Sequence, residues 1–480
     1  MTSDGLVGFR RVGGIEGVQP VPDLAVALPT PTDAGRTYTF RLRPGVRYST
    51  GKPVQPADFR TAIERLLESK PAAPTGRYFL DVVGADRCRP GGRCNLARGI
   101  VGGARTVTFH LTKPDGDFLS KLALVSAAAV PAGTPPPNPK HDHALPGTGP
   151  YTIASYRKGH SVTLVRNRYF RQWSTDAQPA GYPDRITFSA SAGSESAVHV
   201  IEAGKADIAP SLLGLSKAQL ATLRTHYPSQ LRLSPSPSTD WYFLNTRVSP
   251  FDDVRVRRAV NDAFDRQAYK TLQGLGYAST CQVLPPDYPA YRKTCLYGAG
   301  GPAAVARARR LVRSAGRSGV RVTVWMPSLG LPQGRFMVHL LDSIGLRAHL
   351  KVVSVASGLD TYFQRIGNPS THAQIGYYGW ISDYPSDTGF LPPVFSCDTP
   401  NVSAFCSHAV DRLFARAEAA QAENPAAAPA LWQQAERAVL LQAAIVPTDN
   451  PKNVAFVAEG VRNFQYHPEW SVLLDQLWLR

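Results

Sequence analysis

The sequence predicts an α/β protein whose parallel sheets are covered by helices. Beyond residue 183, short segments with strand character alternate with amphipathic segments of helical period, a rhythm that is typical of parallel sheets. The chain has 480 residues, enough for about two to four domains with substantial cores. The predicted elements of this region are strands at 185–188, 206–209, 241–244, 321–325 and 350–355, and helices at 195–203, 302–314 and 333–344.

The N-terminal part of the chain has its own predicted elements. Residues 37–43 alternate between apolar and polar side chains, which predicts a strand with one face in water. A helix is expected to begin near Pro56 and to bury an apolar stripe. A second alternating strand covers 106–111, and the Pro-rich residues 131–139 form a connector.

A new unit is expected to begin at residues 147–151. A turn at 158–160 joins two predicted strands in a hairpin. Further along, Asp253 precedes an apolar stripe of helical period and is expected to cap that helix. The remaining predicted elements are helices at 408–422 and 426–443 and a strand at 453–457.

The net charge of +17 would suit a nucleic-acid partner or an acidic surface. However, the charge is dispersed along the chain. Its densest segments, 254–266 and 305–317, are predicted to be amphipathic helices, so we interpret their arginines as solvated helix faces. The sequence has no zinc finger, basic zipper or RNA-recognition signature. It therefore does not favour nucleic-acid binding.

The six cysteines fall into three local pairs. An even count and close spacing predict three short disulfides in an oxidising compartment. The alternative is zinc, but zinc sites usually combine C-x-x-C or helically spaced histidines, and neither is present. His141 and His143 lie in a Pro-rich loop far from any cysteine and are expected to be exposed. The pairs are Cys88 with Cys94, Cys281 with Cys295, and Cys397 with Cys406.

The sequence contains no apolar run of 18 residues, so it predicts no transmembrane helix. The first residues, from Met1 to Leu6, lack the charged and apolar regions of a signal peptide. This conflicts with the prediction of disulfides, which form outside the cytoplasm. We therefore expect that the chain is a fragment, that its true start lies upstream, or that a partner segment exports it.

No catalytic motif stands out in the sequence. The patterns G-x-S-x-G, H-E-x-x-H and GxxxxGK are absent. Asp252 and Asp253 form a carboxylate pair, but their position at a helix start explains them as capping residues. The eleven histidines show no ligand spacing. These observations favour a protein that is not an enzyme and that needs no cofactor and no metal.

Residues 374–385 combine aromatic side chains with one carboxylate, that of Asp383. A short strand is predicted at 374–378, leading into a loop. Glycine allows close approach to a backbone, and Trp and Tyr offer flat apolar walls with polar tips. Asp383 could hold a cation among these walls, or the stretch could be a buried cluster in which Asp383 caps the next turn. The aromatic residues are Tyr377, Tyr378, Trp380 and Tyr384.

Five stretches, taken together and in order, resemble one protein family. They are YTFRLRPGVRYSTGKPVQPADFRTAIERLL, GTGPYTIASYRKGHSVTLVRNRYF, LNTRVSPFDDVRVRRAVNDAFDR, GWISDYPSDTGFLPPVFSC and AERAVLLQAAIVPTDN. The sequence is similar to the family 5 extracellular solute-binding proteins, the peptide- and nickel-binding receptors of ABC importers. The resemblance runs from about Gly5 to the C-terminus, and the cysteine pairs resemble those of actinobacterial members.

The resemblance implies a two-lobed, periplasmic-binding-protein-like fold (type II, cluster C) with an inserted third subdomain. A hinge between the lobes would close the cleft on a ligand. Lobe I would comprise residues 1–17, 147–248 and 447–480, with its N-terminal part truncated. The inserted subdomain would cover 18–146, and lobe II would cover 249–446.

The resemblance also implies a binding site. In peptide-binding members, the aspartate of the matching G-W-x-x-D-Y stretch holds the α-ammonium of the ligand, and here that residue is Asp383. Exclusion of water on closure strengthens such a charged hydrogen bond. The other residues carried over are Trp380, Tyr384 and Tyr378 in the same stretch, and Trp241, Tyr242 and Asn245 in the strand expected to face the cleft.

The implied function is capture of oligopeptides, or of a similar small solute, and delivery to an ABC permease in the membrane. The protein would be an extracytoplasmic monomer associated with the cell envelope, without a nucleic-acid partner. Three alternatives remain open. They are a ligand-sensing module of a larger regulatory fusion protein, a binder of nickel chelates, haem or sugars, and a hydrolase built on the same scaffold.

Overall fold

The computed structural model describes residues 1–135, 144–190, 193–212 and 214–480. The prediction for His141 and His143 lies outside the described residues. The strands are β1 Val7–Phe9, β2 Pro20–Pro22, β3 Thr37–Arg41, β4 Ile100–Gly102, β5 Thr106–His110, β6 Tyr151–Arg157, β7 Ser161–Arg166, β8 Arg185–Ser189, β9 Ile208–Ala209, β10 Leu231–Pro235, β11 Ser238–Leu244, β12 Tyr277–Ser279, β13 Arg321–Pro327, β14 Arg347–Val353, β15 Ile375–Ile381, β16 Ile445–Val457, β17 Val461–Arg462, β18 Tyr466–His467, β19 Ser471–Val472 and β20 Trp478–Leu479.

Helices cover the faces of these sheets, as the amphipathic segments predict. They are α1 Pro56–Glu68, α2 Phe118–Leu122, α3 Ser194–Glu202, α4 Lys217–His226, α5 Val254–Ala263, α6 Arg266–Gln273, α7 Pro302–Ser314, α8 Leu331–Ser343, α9 Asp360–Gly367, α10 Asp387–Phe395, α11 His408–Glu423 and α12 Ala428–Gln442. Asp253 caps α5 by accepting a hydrogen bond from the backbone N–H of Arg255, as predicted. No helix of the described ranges combines the length and the apolar character needed to cross a membrane.

The central sheet has the strand order β10-β16-β11-β15-β13-β14, with β9 and β12 also paired to β16. The predicted parallel pairing is confirmed where β13 lies between β14 and β15. It is wrong for β11, which pairs antiparallel with both β15 and β16. The β-α-β pattern predicts parallel neighbours only where a helical crossover joins them, and the chain reaches β11 and β16 from the opposite direction.

Strand β16 is the longest element of the sheet, with 13 residues. Its first half pairs with β11, and its second half pairs with β10 and β9. The sequence analysis predicted only the 453–457 end, because Pro447, Thr448 and Asp449 interrupt the apolar pattern. This strand joins the core around β11 to the core around α3 and α4.

Four substantial apolar clusters form the core. Two lie on opposite faces of the sheet at β11, where Trp241 and Phe243 point to one face and Tyr242 and Leu244 to the other. A third forms around α3, α4, β10 and β16. The fourth packs Leu6, Val7 and Phe9 with the apolar residues of 24–129, and it also takes in Tyr384 from the far end of the chain.

Helix α7 presents its arginines to solvent. Ala304, Ala308 and Val312 are buried on its inner face, and Arg310 and Arg313 are exposed on the outer face. The arrangement agrees with the interpretation of this charged segment as a solvated helix face.

The three cysteine pairs form disulfides. Their Cα atoms lie 4.6, 5.4 and 4.5 Å apart, in chain order, within the range of protein disulfides. The described part of the chain has no free cysteine. The prediction from even count and local spacing is therefore confirmed.

Two carboxylates face each other across the pairing of β11 with β16. Asp240 lies opposite Asp449 in register, and Tyr377 donates to Asp240 over 2.5 Å while Gln273 donates to Asp449 over 3.1 Å. The other titratable groups acting on the pair are tyrosines, among them Tyr269. No described residue forms an ion pair with either carboxylate.

Burial raises the pKa of Asp240 to about 6. The pKa of Asp449 is also raised, first by burial and then by the charge of Asp240. Since both groups hold a proton more tightly in the folded state than in the unfolded state, their contribution to stability is complete at low pH. It is lost as the pH rises from about 4 through about 6 and beyond.

We therefore expect the unfolding temperature to fall as the pH rises from 4 to 7. An Asp240→Asn variant removes one of the two titrating groups and should flatten this decline. Differential scanning fluorimetry across that range measures the slope. Asp287→Asn changes an exposed carboxylate and serves as the control. An Asp240→Asn variant with the slope of the parent protein would contradict the prediction.

Candidate functional site

Strand β15 carries the aromatic stretch that the sequence analysis singled out. The strand continues to Ile381, so the expectation that it ends at residue 378 and enters a loop there was wrong. Tyr378 and Trp380 pack on the face that contains Trp241. Gly379 points to the other face, where a Cβ atom would collide with the carboxylate of Asp240. Glycine at this position therefore lets β15 pair with β11.

Residues 382–386 form a tight loop between β15 and α10. The Ser382 hydroxyl bonds to the backbone of Tyr384, and Ser386 caps α10 by accepting from the N–H of Thr388. Ser386 also donates to Asp117, over 3.0 Å. The loop thus projects Asp383 toward the N-terminal part of the protein.

Asp383 meets two side chains from the 3-10 turn Pro74–Phe79. The Nη2 of Arg77 lies 2.8 Å from Asp383 Oδ2. The hydroxyl of Tyr78 donates to the same oxygen. Arg77 and Asp383 are 42% and 37% exposed, so this ion pair lies at the surface of a cleft and not inside a core. Asp383 does not cap the next turn, a role that Ser386 fills instead.

Tyr384 has a different environment from the one that the sequence analysis expected. It is 2% exposed and belongs to the cluster built from residues 6–129. Its ring packs edge-on against Tyr78, with centroids 5.1 Å apart, and the Lys121 ammonium lies 5.8 Å from its centroid. Tyr384 therefore anchors the loop of Asp383 to the N-terminal part of the protein.

A cavity of about 200 Å³ lies beside Arg77. Trp241, Tyr378 and Trp380 form one wall, as flat apolar surfaces. Residues 399–403 form the opposite wall, and the disulfide between Cys397 and Cys406 closes the segment that contains them. The indole Nε1 of Trp241 is buried and has no hydrogen-bond partner among the described residues. The cavity therefore has an aromatic wall, and Trp241 in that wall has an unpaired donor.

Polar contacts join the two sides of the cleft near Asp383. Asp117 accepts from Gln421 Nε2, 2.6 Å away, and Gln421 Oε1 accepts from Trp432 Nε1 at 2.9 Å. Burial raises the pKa of Asp117. These contacts hold the 115–122 segment against α11.

Two further carboxyl groups near the site were missed by the sequence analysis. Burial and the nearby charge of Asp383 raise the pKa of Glu469 to about 8. Burial also raises the pKa of Asp387 to about 7. At neutral pH Glu469 is therefore mostly protonated and Asp387 is protonated in about half of the molecules. No periodicity marks Glu469, because it lies in the irregular C-terminal segment and reaches the site only through the tertiary fold.

The structure does not bring Tyr242 and Asn245 to this cavity. Tyr242 is fully buried on the opposite face of the sheet, and its hydroxyl donates to the Gln333 carbonyl at 2.8 Å. Asn245 lies beyond the end of β11 and donates to the Ala373 carbonyl at 2.9 Å. Of the three residues predicted from this strand, only Trp241 reaches the cavity.

A wider groove of about 760 Å³ lies at the start of α3. Its lining includes Glu195, His199 and Lys205 but no Trp, Tyr or Phe. It shares no lining residue with the cavity beside Arg77. Because an apolar wall and convergent polar groups distinguish small-molecule sites from surface grooves, the smaller cavity is the better candidate.

Comparison with known proteins gives one family and many relatives. The model of the bacterial extracellular solute-binding proteins, family 5 Middle, matches residues 19–401. Di/tripeptide-binding protein 3 of Pseudomonas aeruginosa (strain UCBPP-PA14) is 24% identical, over 96% of this chain and 86% of its own length. The glutathione-binding protein GsiB of Escherichia coli O6:K15:H31 is also 24% identical, with the same coverage.

Solved structures match the whole chain. Clavulanic acid biosynthesis oligopeptide binding protein 2 superposes with a TM-score of 0.87 at 24% identity, covering 100% of this chain and 90% of that protein. The murein tripeptide binding protein MppA of Escherichia coli gives a TM-score of 0.78 at 21% identity, covering 99% and 92%. These matches confirm the two-lobed α/β fold that the sequence predicts.

Proposed function

The chain belongs to the bacterial extracellular solute-binding proteins of family 5, and from this membership we propose that it captures peptides beside Asp383 and delivers them to the permease of an ABC importer. The family consists of binding proteins and not of enzymes. In this proposal Asp383 holds the α-ammonium of the peptide. Trp380, Tyr378 and Trp241 form the wall against which a side chain of the peptide packs.

The observation that carries this proposal is the position of Asp383. It is a surface carboxylate that does not itself line the aromatic cavity but pairs with Arg77, which does. Its other hydrogen-bond donor is Tyr78. Burial raises the pKa values of Glu469 and Asp387, which makes these two carboxyl groups weaker candidates than Asp383 for binding a ligand ammonium. The names of the relatives, which include di/tripeptide-binding proteins, favour peptides over other solutes.

The proposal includes the division into lobes. Residues 1–17, 147–248 and 447–480 would form lobe I, 18–146 the inserted subdomain and 249–446 lobe II. Strands β11 and β16 would then run between the lobes, since β16 borders the two clusters at β11 with its first residues and the cluster around α3 and α4 with its last ones. Bending at these strands would open and close the cleft between Arg77 and Asp383.

The proposal also includes an extracytoplasmic location and a monomeric state. The three disulfides support a location in an oxidising compartment.

Isothermal titration calorimetry of the purified protein with di-, tri- and tetrapeptides tests the proposal. We expect at least one length class to bind, with dissociation constants in the micromolar range or below, and N-acetylated versions of the same peptides to bind much more weakly. Parallel titrations with nickel chelates, haem and sugars test the other solutes of the family. Binding of one of those solutes without any peptide binding would overturn the proposal.

A further inference from the structure

Asp240 and Asp449 form a pair of carboxylates without a counter-charge. They are register partners on the neighbouring strands β11 and β16, so their side chains point to the same face of the sheet. Asp449 is 2% exposed, and Asp240 is half-buried. Within the described ranges, neither carboxylate forms an ion pair. Since buried charges in proteins are normally paired or bound to a metal ion, this pair requires either protons or a cation.

A β-bulge brings the second carboxylate into this position. Asp240 pairs with Asp449, but the next residue, Trp241, pairs with Pro447, which makes Thr448 the extra residue of the bulge. Without that residue, Asp240 would face Thr448. The Thr448 hydroxyl donates to the backbone carbonyl of Asp240 over 2.9 Å and holds the bulge in place. Bulges re-aim side chains and are frequent beside functional sites, and this one aligns two acidic groups.

Two buried oxygen atoms at the pair have no hydrogen-bond partner in the described part of the chain. They are Asp449 Oδ1 and the hydroxyl of Tyr269, and the Tyr269 side chain is 1% exposed. Burial is the main cause of the raised pKa of Tyr269, and Asp449 and Asp240 are among the charges that raise it further. The unpaired hydroxyl of Tyr269 therefore lies beside both carboxylates.

The other polar neighbours of the pair are neutral. Tyr377 donates to Asp240 Oδ2 over 2.5 Å, and Gln273 donates to Asp449 Oδ2 over 3.1 Å. Gln333 donates in turn to the amide oxygen of Gln273 over 2.5 Å, which orients that amide. These bonds occupy one oxygen of each carboxylate. Both Oδ1 atoms are left without a donor among the residues that the structure describes.

Protons alone would satisfy the pair incompletely. A proton on Asp449 Oδ1 would turn that atom into a donor, and no described residue accepts from it. The Tyr269 hydroxyl would also stay unpaired. A divalent cation supplies two positive charges and takes carboxylate, hydroxyl and water oxygens as ligands. It would satisfy both Oδ1 atoms and the hydroxyl together, and the partial exposure of Asp240 gives an ion access to the site.

From this geometry we propose that Asp240, Asp449 and Tyr269 bind one Ca²⁺ ion. Ca²⁺ accepts oxygen ligands in a flexible arrangement, whereas Mg²⁺ keeps most of its water shell, for which a site closed around Asp449 has little room. The ion would join β11 to β16, away from the cavity at Trp241 and on the opposite face of the sheet. The site differs from the expectation that no metal is needed, because residues far apart in the chain form no local motif.

Equilibrium dialysis of the full chain against radiolabelled Ca²⁺, after removal of bound ions with EDTA, tests the site. The parent protein is compared with Asp449→Asn, Tyr269→Phe and the control Asp287→Asn, which changes an exposed carboxylate. We expect the parent and the control to bind about one Ca²⁺ per chain, with a millimolar or lower dissociation constant. Asp449→Asn should weaken binding by about 10-fold or more, and Tyr269→Phe by about 3-fold.

Thermal unfolding gives a second measurement on the same four proteins. Ca²⁺ should raise the unfolding temperature of the parent and of Asp287→Asn, relative to NaCl of the same ionic strength, because an ion that binds only the folded state stabilises it. The increase should be largely lost in Asp449→Asn. This variant removes one charge from a pair that has no cationic partner, so we expect it to fold.

Three results would overturn the inference. The first is a parent protein that binds no Ca²⁺, which depends on no variant; a shared proton or bound water would then explain the pair. The second is unchanged Ca²⁺ affinity in Asp449→Asn, since the ion would then lie elsewhere. The third is tighter binding of Mg²⁺ than of Ca²⁺ by the parent. None of these results bears on peptide binding, so the proposed function is tested separately.

Discussion

Replacing Asp383 by alanine is expected to weaken peptide binding by about 10- to 100-fold. The variant removes a charged hydrogen bond, a type of interaction worth about 1.5–3 kcal/mol. It leaves Glu469 nearby, but burial, the larger cause of the raised pKa of that carboxyl group, persists in the variant and makes Glu469 a poor substitute at neutral pH. Calorimetry with the peptide that binds the parent most tightly measures the effect.

The control for this variant is Asp398→Ala. Asp398 is an exposed carboxylate next to the 399–403 wall of the cavity, so it tests whether any nearby negative charge supports binding. Its affinity should match that of the parent within about 2-fold. The assignment of Asp383 fails if the two alanine variants bind the peptide equally well. Because the Arg77–Asp383 pair is partly exposed, neither variant should change the unfolding temperature appreciably.

Replacing Asp475 by alanine is expected to lower the free energy of unfolding by about 3–5 kcal/mol. Asp475 is fully buried, and Arg11 contacts it through two hydrogen bonds of 2.8 Å each. The Arg11 guanidinium also lies over the ring of Trp470, 4.8 Å from its centroid. The variant would leave the Arg11 charge buried without a carboxylate, which costs more than the attraction between the two groups contributes. Urea denaturation measures the change.

The matched control is Asp176→Ala. Asp176 pairs with Arg10 over 3.9 Å, and the two side chains are 60% and 34% exposed. The control should therefore change the free energy of unfolding by less than about 1 kcal/mol. If both variants lost the same free energy of unfolding, the buried pair would contribute no more to stability than the exposed pair, and the prediction would be wrong.

The Asp475 pair also has a predicted pH dependence, opposite in sign to that of Asp240. Burial raises the pKa of Asp475, but the charge and hydrogen bonds of Arg11 outweigh this and lower it below its ordinary value. The stabilisation is therefore present above about pH 4 and is lost as the pH falls further. The Asp475→Ala variant should lose less stability in acid than the parent protein does.

Part of the candidate site could be predicted from the sequence. Asp383 and Trp380 were identified because their stretch resembles a family motif and occurs in order with four other such stretches, whereas the residues alone fitted a buried aromatic cluster equally well. Tyr384 belongs to the same motif, yet it packs into the N-terminal cluster. Local sequence shows that an aromatic residue will be buried, but it does not show which of several cores will bury it.

Arg77 could not be identified from the sequence. It lies 306 residues from Asp383, in a short 3-10 turn without periodicity, and it resembles the many other arginines of a chain with 53 basic residues. Glu469 was missed for the same reason. A residue acquires its function here through long-range packing, and long-range neighbours leave no signature in a single sequence.

The sequence by itself determined the α/β class, the boundaries of most amphipathic helices, the three disulfides and the stretch that contains Asp383. Each of these depends on interactions between residues that are close in the chain or on a motif that occupies consecutive positions. The tertiary structure alone decided that β11 and β16 pair antiparallel, that Tyr242 faces away from the cavity, and that Arg77 meets Asp383. These features depend on which surfaces the chain buries together, and that choice is made by the packing of whole elements.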